Sequence, residues 1–92
     1  MHKKKSGLII PAVTLKPGAM GLDVYNLQIC LDQILKNKGK KKLIDYEPGH
    51  FGPMTESKLR EFQSKYDLFV NGIYTPCTQL RIKEVLNADR NI

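Results

Sequence analysis

The chain has 92 residues, 41% of them hydrophobic, and a formal net charge of +6. A chain of this length forms one domain with a small core, and no run of about 18 apolar residues is present to cross a membrane. Its two cysteines, Cys30 and Cys77, are too few for a disulfide framework and have no metal-ligand spacing. We expect both thiols to be free and mostly packed inside the fold, with a single Cys30–Cys77 bridge as the alternative.

Residues 1–13 predict a basic, extended N-terminal arm. Three lysines at positions 3–5 precede a short apolar stretch, which Pro11 interrupts. This stretch is shorter than the hydrophobic region of a signal peptide, so we expect no signal peptide in this chain. If the protein acts outside the cytoplasm, we expect that its export signal is missing from this segment or that export follows another route.

Residues 14–88 carry the pattern of three helices joined by structured loops. Asp23 is a natural N-cap for the first helix, residues 37–39 supply its stop, and Thr55 and Thr78 are predicted to cap the other two. Apolar residues recur at helical spacing in each segment: Val24, Leu27, Leu31, Ile34 and Leu35; Leu59, Phe62 and Tyr66; Ile82, Val85 and Leu86. We therefore predict an all-α fold, a compact three-helix bundle, with residues 89–92 as a frayed C-terminus.

The two long connections, residues 40–54 and 67–77, are predicted to be irregular. In the second connection a small strand ladder is the competing prediction. Residues 68–70 and 73–74 flank Asn71 and Gly72, a pair that commonly forms a two-residue hairpin turn. Each arm is too short to build a sheet by itself, so at most a small ladder is expected there.

The two loops also repeat one pattern. Residues 49–55 (GHFGPMT) align without gaps on residues 72–78 (GIYTPCT), and the match continues as Leu59 with Ile82 and Phe62 with Val85. Glycine permits a positive φ, the aromatic ring anchors the loop in the core, proline fixes φ, and threonine caps the helix. The repeat therefore predicts one structural device used twice, an anchored loop that starts a helix.

Five short motifs follow one another along the chain. They are LKPGAMG at 15–21, DVYNLQICL at 23–31, PGHFGPMT at 48–55, FQ at 62–63 and NGIYTPCT at 71–78. In this order they resemble the peptidoglycan-binding-like domain family, a three-helix module attached to many cell-wall hydrolases and phage lysins. The resemblance covers residues 15–86. It implies non-catalytic binding of bacterial cell-wall peptidoglycan, which targets an attached or associated activity to the wall or the extracellular space after export or phage release.

The chain departs from the family pattern in its loops. Pro48 and Asn71 replace acidic residues, Thr75 replaces a usual glycine, and Asp67 stands where a glycine commonly ends the second helix. Aspartate tolerates the left-handed conformation better than most residues. The segment 37–47 is also longer and more basic than is usual in the family. These departures leave the core pattern intact but affect any ligand contacts inherited with the loops.

The resemblance implies a peptidoglycan fragment, stem peptide or glycan, held in a shallow groove by loop side chains. The candidate ligand-binding residues are Tyr46, His50, Asn71 and Tyr74, each able to offer a hydrogen bond or a flat face. Each has a packing alternative, which is strongest for Tyr74 because it aligns with Phe51, the expected core residue. Two glutamines that follow core residues, Gln28 and Gln63, are predicted to make structural hydrogen bonds.

Most of the positive charge lies in the arm and in one loop. The loop cluster comprises Lys36, Lys38, Lys40, Lys41 and Lys42. Such runs are usually solvated, but they also attract polyanions, and we predict that Lys40, Lys41 and Lys42 interact electrostatically with anionic wall polymers. No aromatic residues interleave the lysines, which disfavours nucleic acid as the partner.

Tyr25 and Ile29 fall on the helix face opposite Leu27 and Leu31, one turn apart, and form a possible partner patch. No zinc spacing, nucleophile motif or paired carboxylates are evident, so we expect no metal, no cofactor and no independent catalysis. Two alternatives to wall binding stay open. One is a structural or regulatory adaptor, or a prodomain-like module, that uses this fold in a protein complex. The other is a basic nucleic-acid binder.

Overall fold

The computed structural model describes residues 8–36 and 41–90, which form four helices. Helix α1 comprises Leu22–Leu35, α2 Leu43–Tyr46, α3 Pro53–Lys65 and α4 Pro76–Arg90. The prediction of an all-α fold is confirmed. The prediction that residues 40–54 form only a loop is wrong, since α2 adds one helical turn there. None of the helices in the described ranges is long and apolar enough to span a membrane.

The short helix α2 exists because a side chain of α1 holds its start. The buried carboxylate of Asp32 accepts hydrogen bonds from the amides of Leu43, at 2.9 Å, and Ile44, at 3.5 Å. These amides have no partner within a helix and favour a negative charge at this end. Leu43 is itself buried in the core, so α2 is joined to the rest of the domain both by the bonds to Asp32 and by apolar packing. Neither contact follows from local spacing, which explains why the sequence predicted a loop.

The helices begin earlier than the predicted caps. Helix α1 starts after Gly21, so Asp23 lies inside its first turn and makes no capping hydrogen bond. Helices α3 and α4 begin with Pro53 and Pro76, because proline suits the first helical position, where its missing amide proton is not needed. Thr55 and Thr78 are therefore the third residues of these helices, within the first turn, and both are buried. The predicted capping roles of Asp23, Thr55 and Thr78 are wrong.

The core lies between the three long helices and the two loops. Its buried apolar residues are Leu15, Val24, Leu27, Cys30, Leu31, Ile34, Leu43, Phe51, Leu59, Phe62, Tyr74 and Ile82. Tyr66 and Val85 pack against this cluster from partly buried positions. Helix α3 ends as predicted with Asp67 in the left-handed region at a φ of 60°. The amide of Leu68 then donates to the carbonyl of Gln63 at 2.8 Å, which closes the last turn.

Both ends of the described chain add to this domain. Leu8 and Ile10 pack against the core, and the carbonyl of Pro11 accepts a hydrogen bond from the Tyr74 hydroxyl at 2.8 Å. The carbonyl of Val13 accepts another from Gln79 Nε2 at 3.1 Å. At the other end, α4 continues to Arg90, beyond the predicted domain end at residue 88. The fraying expected for residues 89–92 stays a prediction, since 91–92 lie outside the described residues, as do residues 1–7 of the predicted arm.

Candidate functional site

The two repeated loops have the same backbone geometry at their first residue. Gly49 has a φ of 74° and Gly72 a φ of 73°, so the positive φ predicted for both is confirmed. An L-amino acid with a side chain is strained in this region, which explains the glycine in both copies. The second feature that the copies share is a buried glutamine from the long helix that precedes each loop in sequence, α1 for the first loop and α3 for the second.

Gln28 of α1 binds the first loop through both ends of its amide. Its Oε1 accepts from the Gly49 amide at 2.9 Å. Its Nε2 donates to the carbonyls of Glu47, at 2.6 Å, and His50, at 3.1 Å, and to Thr55 Oγ1 at 2.8 Å. Gln28 is completely buried, so these bonds have no competition from water. They fix the loop relative to both α1 and α3.

Gln63 of α3 binds the second loop in an equivalent way. Its Oε1 accepts from the amides of Asn71, at 3.1 Å, and Gly72, at 3.0 Å. Its Nε2 donates to the carbonyl of Ile73 at 3.0 Å and to Thr78 Oγ1 at 3.2 Å. The structural role predicted for both glutamines is confirmed. The two buried threonines of the repeat, Thr55 and Thr78, serve as partners of these glutamines.

The aromatic residue of each loop is anchored in the core. Phe51 is buried, as predicted. Its backbone exchanges hydrogen bonds with the segment before α1, residues 11–20, which we call the N-terminal strip. The Phe51 amide donates to the Ala19 carbonyl, and the Phe51 carbonyl accepts from the Gly18 amide. Tyr74 makes the corresponding pair of backbone bonds with Leu15, at 3.0 and 2.8 Å. The hairpin alternative for residues 68–74 is therefore wrong, because Tyr74 pairs with the N-terminal strip instead.

The candidate site residues of the second loop are used by the fold. Tyr74 is completely buried, and its hydroxyl is bonded to Pro11, so it presents nothing to a ligand on the surface. The side-chain Oδ1 of Asn71 accepts from Gln63 Nε2, at 3.1 Å, and from the Ile73 amide, at 2.9 Å. Its Nδ2 makes no hydrogen bond to any residue in the described part of the chain. Tyr74 is accordingly withdrawn as a contact residue, whereas Asn71 stays a candidate.

The candidates of the first loop face solvent. Tyr46, at the end of α2, is 52% exposed, and His50 is also exposed. The backbone of His50 pairs with that of Met20, which brings an exposed methionine beside the loop. Lys41 and Lys42, just before α2, are exposed as well, and Lys40 lies outside the described residues. Tyr46 and His50 therefore lie at the two ends of the segment that joins α2 to the loop, and Lys41 and Lys42 lie before the start of α2.

A second exposed surface runs along α1. Tyr25 is exposed and Ile29 partly so, on the face away from the buried Leu27 and Leu31, in keeping with the predicted face. Leu22, one turn before, is 70% exposed and extends the same face. Sequence reasoning missed Leu22 because the first helix was predicted to begin only after Asp23. We call Leu22, Tyr25 and Ile29 the α1 strip.

An open groove of about 430 Å³ lies between the end of α3 and the start of α4. Among the residues that line it are Asp67, Leu68, Phe69, Asn71, Thr75 and Cys77. Phe69 is 84% exposed, the most exposed of the large hydrophobic residues in the described part of the chain. Sequence reasoning missed Phe69, because the apolar run of residues 68–70 was interpreted as a possible strand and not as a surface. The groove places one of the predicted candidates, Asn71, next to this unpredicted aromatic ring.

The two thiols are predicted to react very differently. Both are free; Cys30 is completely buried, whereas Cys77 is exposed, so the expectation that both are packed is wrong for Cys77. Burial raises the pKa of the Cys30 thiol to about 11. At pH 8, three units below this value, only about one Cys30 in a thousand is a thiolate, the form that reacts. We expect a thiol-specific disulfide reagent to modify one cysteine per native chain rapidly, and mass mapping to find it on Cys77.

Addition of denaturant supplies the control for the thiol experiment. Unfolding returns Cys30 to water, so two thiols per chain are expected to react. Rapid modification of both thiols in the native protein would contradict the burial of Cys30.

Among residues 8–36 and 41–90, no group of three or more His, Cys, Asp or Glu side chains is arranged to hold a metal ion. The chemistry that the exposed surfaces offer is aromatic faces, amide and carboxylate groups, and lysine charge. These groups suit recognition of a polar ligand at a surface.

Comparison with known proteins connects these features to a family. The family model described as "Putative peptidoglycan binding domain" matches residues 20–81. Among solved structures, the chain is similar to the crystal structure of the SleB N-terminal domain, with 30% sequence identity and a TM-score of 0.64. That similarity covers 78% of this chain and 90% of the other. No curated protein sequence matches. With most of its length matched, including both repeated loops and both glutamines, the chain belongs to the peptidoglycan-binding domain family.

Proposed function

We propose that this domain binds bacterial peptidoglycan without chemical turnover and holds an attached or associated activity at the cell wall. The observation that carries the proposal is the family match over residues 20–81. This stretch contains both copies of the repeated loop, each with its glycine and its anchoring aromatic residue, together with the two glutamines that bind the loops. A rigid pair of loops suits recognition, because a ligand that binds it loses little free energy in ordering the protein.

The surface beside the first loop supports this proposal. Tyr46 and His50 are exposed, and the loop that carries His50 is fixed by the bonds of Gln28. An aromatic face and an imidazole at fixed positions can pack against and hydrogen-bond a wall fragment. Attachment to the wall then raises the effective concentration of a linked hydrolase near its substrate. A linked activity of this kind acts at the wall after export or after phage release.

Lys41 and Lys42 are proposed to add electrostatic attraction to the wall. In the described part of the chain neither lysine has a carboxylate within 4.0 Å, since the ion pairs there involve Lys58, Arg60 and Arg81. Unpaired exposed lysines attract polyanions over about a Debye length, roughly 8 Å at physiological salt. This attraction is expected to weaken as salt is added.

A pull-down with purified sacculi tests both parts of the proposal. The wild-type chain is expected to sediment with sacculi at low salt. Replacing Lys40, Lys41 and Lys42 by glutamine should lower the retained fraction about three- to tenfold at low salt and less at high salt. The control replaces Lys16, Lys65 and Lys83, which removes the same charge from other parts of the chain. Absence of wild-type retention at low salt would show that the domain does not bind the wall.

One observation favours a second function, a protein–protein adaptor. The α1 strip exposes apolar side chains on one helix face, with Leu22 70% and Tyr25 36% exposed. In an adaptor this strip contacts a partner protein or the parent chain. The variant Leu22→Ser with Tyr25→Ser separates the two functions, because it should abolish a protein complex but leave sacculus retention unchanged. A gel shift with a steep salt dependence would instead indicate nucleic acid.

A further inference from the structure

The groove between α3 and α4 contains an aromatic ring that the fold does not use. Phe69 is 84% exposed, so its ring contributes little apolar burial to folding. Burying such a side chain in an apolar contact is favourable, and this free energy is still available for binding. The ring lies at a concave surface, beside Leu68 and Cys77. A flat ligand face that packs on Phe69 would therefore remove apolar area from water on both partners.

Two polar groups with unused hydrogen-bonding capacity line the same groove. Asn71 Oδ1 is occupied by Gln63 and by the Ile73 amide, whereas Asn71 Nδ2 has no hydrogen-bond partner within residues 8–36 and 41–90 and still has its two protons to donate. The Asp67 carboxylate is exposed, and in the described part of the chain no side chain or amide bonds to it. The groove thus combines a fixed donor, an acceptor and an aromatic face.

The charges around the groove disfavour an anionic ligand. Arg60 bonds the carbonyl of Asn71 but is paired with Glu56 at 3.2 Å, and Arg81 bonds the carbonyl of Tyr66 but is paired with Glu84 at 3.0 Å. The unpaired charge at the groove is therefore the negative one of Asp67. A stem peptide carries carboxylates, which Asp67 would repel. A neutral sugar offers hydroxyls and an acetamido group without this repulsion.

We infer that this groove binds an N-acetylated amino sugar of the wall glycan. The ring of Phe69 packs on the apolar C–H face of the sugar. Asp67 accepts from a hydroxyl or from the acetamido N–H, and Asn71 Nδ2 donates to an oxygen of the sugar. The inference rests on the proposed wall binding and names the glycan, not the peptide, as the recognised part.

An NMR titration of the whole chain tests the inference. The probe is a peptide-free disaccharide of N-acetylated hexosamines, with a stem tetrapeptide as the second arm. The disaccharide is expected to shift the amide signals of residues 67–71, 75, 77 and 78, and the tetrapeptide is not. Phe69→Ala should raise the Kd for the disaccharide about tenfold or more, and Asp67→Asn about threefold or more. Asparagine also tolerates the left-handed backbone at this position.

Leu22→Ala is the matched control, because Leu22 is also exposed and apolar but lies outside the groove lining. It should leave the Kd for the disaccharide unchanged. Thermal unfolding of all three variants shows whether the fold is retained.

If sacculi retain the wild type and Phe69→Ala equally, the groove assignment is wrong and wall binding stands. If the tetrapeptide shifts the groove signals and the disaccharide does not, the sugar assignment is wrong. If sacculi retain no protein and neither probe shifts the groove, both proposals fail.

Discussion

Phe51→Ala is expected to lower the free energy of unfolding by about 3–5 kcal/mol. The ring is buried to 1% exposure, and its removal takes away both its apolar burial and its contacts with the surrounding core. Domains of this kind are stable by only about 5–15 kcal/mol in total, so the variant should be partly unfolded at moderate temperature. Chemical denaturation followed by circular dichroism measures the difference.

Phe69→Ala provides the control for Phe51→Ala, with the same chemical change at an exposed position. Phe69 is 84% exposed, so its loss should change the free energy of unfolding by about 0.5 kcal/mol or less. The two substitutions make the same chemical change in the same domain, and they differ in how far the replaced ring is buried. Equal destabilisation by the two substitutions would contradict the assignment of Phe51 as the anchor of its loop.

Gln63→Ala is expected to lower the free energy of unfolding by about 2–4 kcal/mol. The substitution removes five hydrogen bonds, those to the Asn71 and Gly72 amides, to the Asn71 side chain, to the Ile73 carbonyl and to Thr78 Oγ1. A polar group that loses its partner destabilises the fold more when it is shielded from water than when it is exposed, because water cannot replace the lost hydrogen bond. Amide hydrogen exchange at Asn71 and Gly72 should accelerate more than in the first loop, because Gln28 still binds that loop.

Gln33→Ala is the matched control, because Gln33 lies on α1 and is exposed. Its replacement should change the free energy of unfolding by about 0.5 kcal/mol or less. A Gln28→Ala variant, in turn, is expected to reproduce the effect of Gln63→Ala with the accelerated exchange moved to Gly49. If Gln63→Ala were no more destabilising than Gln33→Ala, the glutamine bonds would not be what holds the second loop.

Much of the fold was predictable because the family motifs consist of residues with local tasks. A positive φ requires glycine at positions 49 and 72, and helical spacing marks Val24, Leu27 and Leu31 as one buried face. Helix starts were less predictable. Asp23 and Thr55 satisfy the capping rules, but Gly21 and Pro53 lie closer to the actual starts, and capping preference does not choose between neighbouring candidates.

The candidate site was less predictable than the fold. Tyr74 in the second loop and Tyr46 at the end of α2 are the same residue type, yet one is completely buried and the other is 52% exposed. Their difference comes from Pro11 and Leu15, which are far from Tyr74 in sequence and cover it in the fold. Phe69 was missed for the opposite reason. A phenylalanine in an apolar run predicts burial, and only the path of the chain after Asp67 leaves the ring exposed.

The sequence by itself determined the all-α class, the duplicated loop and the family, because these depend on local conformational preferences and on the order of motifs. The tertiary structure alone decided which loop side chains reach the surface. It buried Tyr74 under the N-terminal strip, started α2 on the carboxylate of Asp32, and placed Phe69 beside Asp67 and Asn71. Each of these outcomes depends on contacts between segments distant in sequence, and residue spacing carries no information about such contacts.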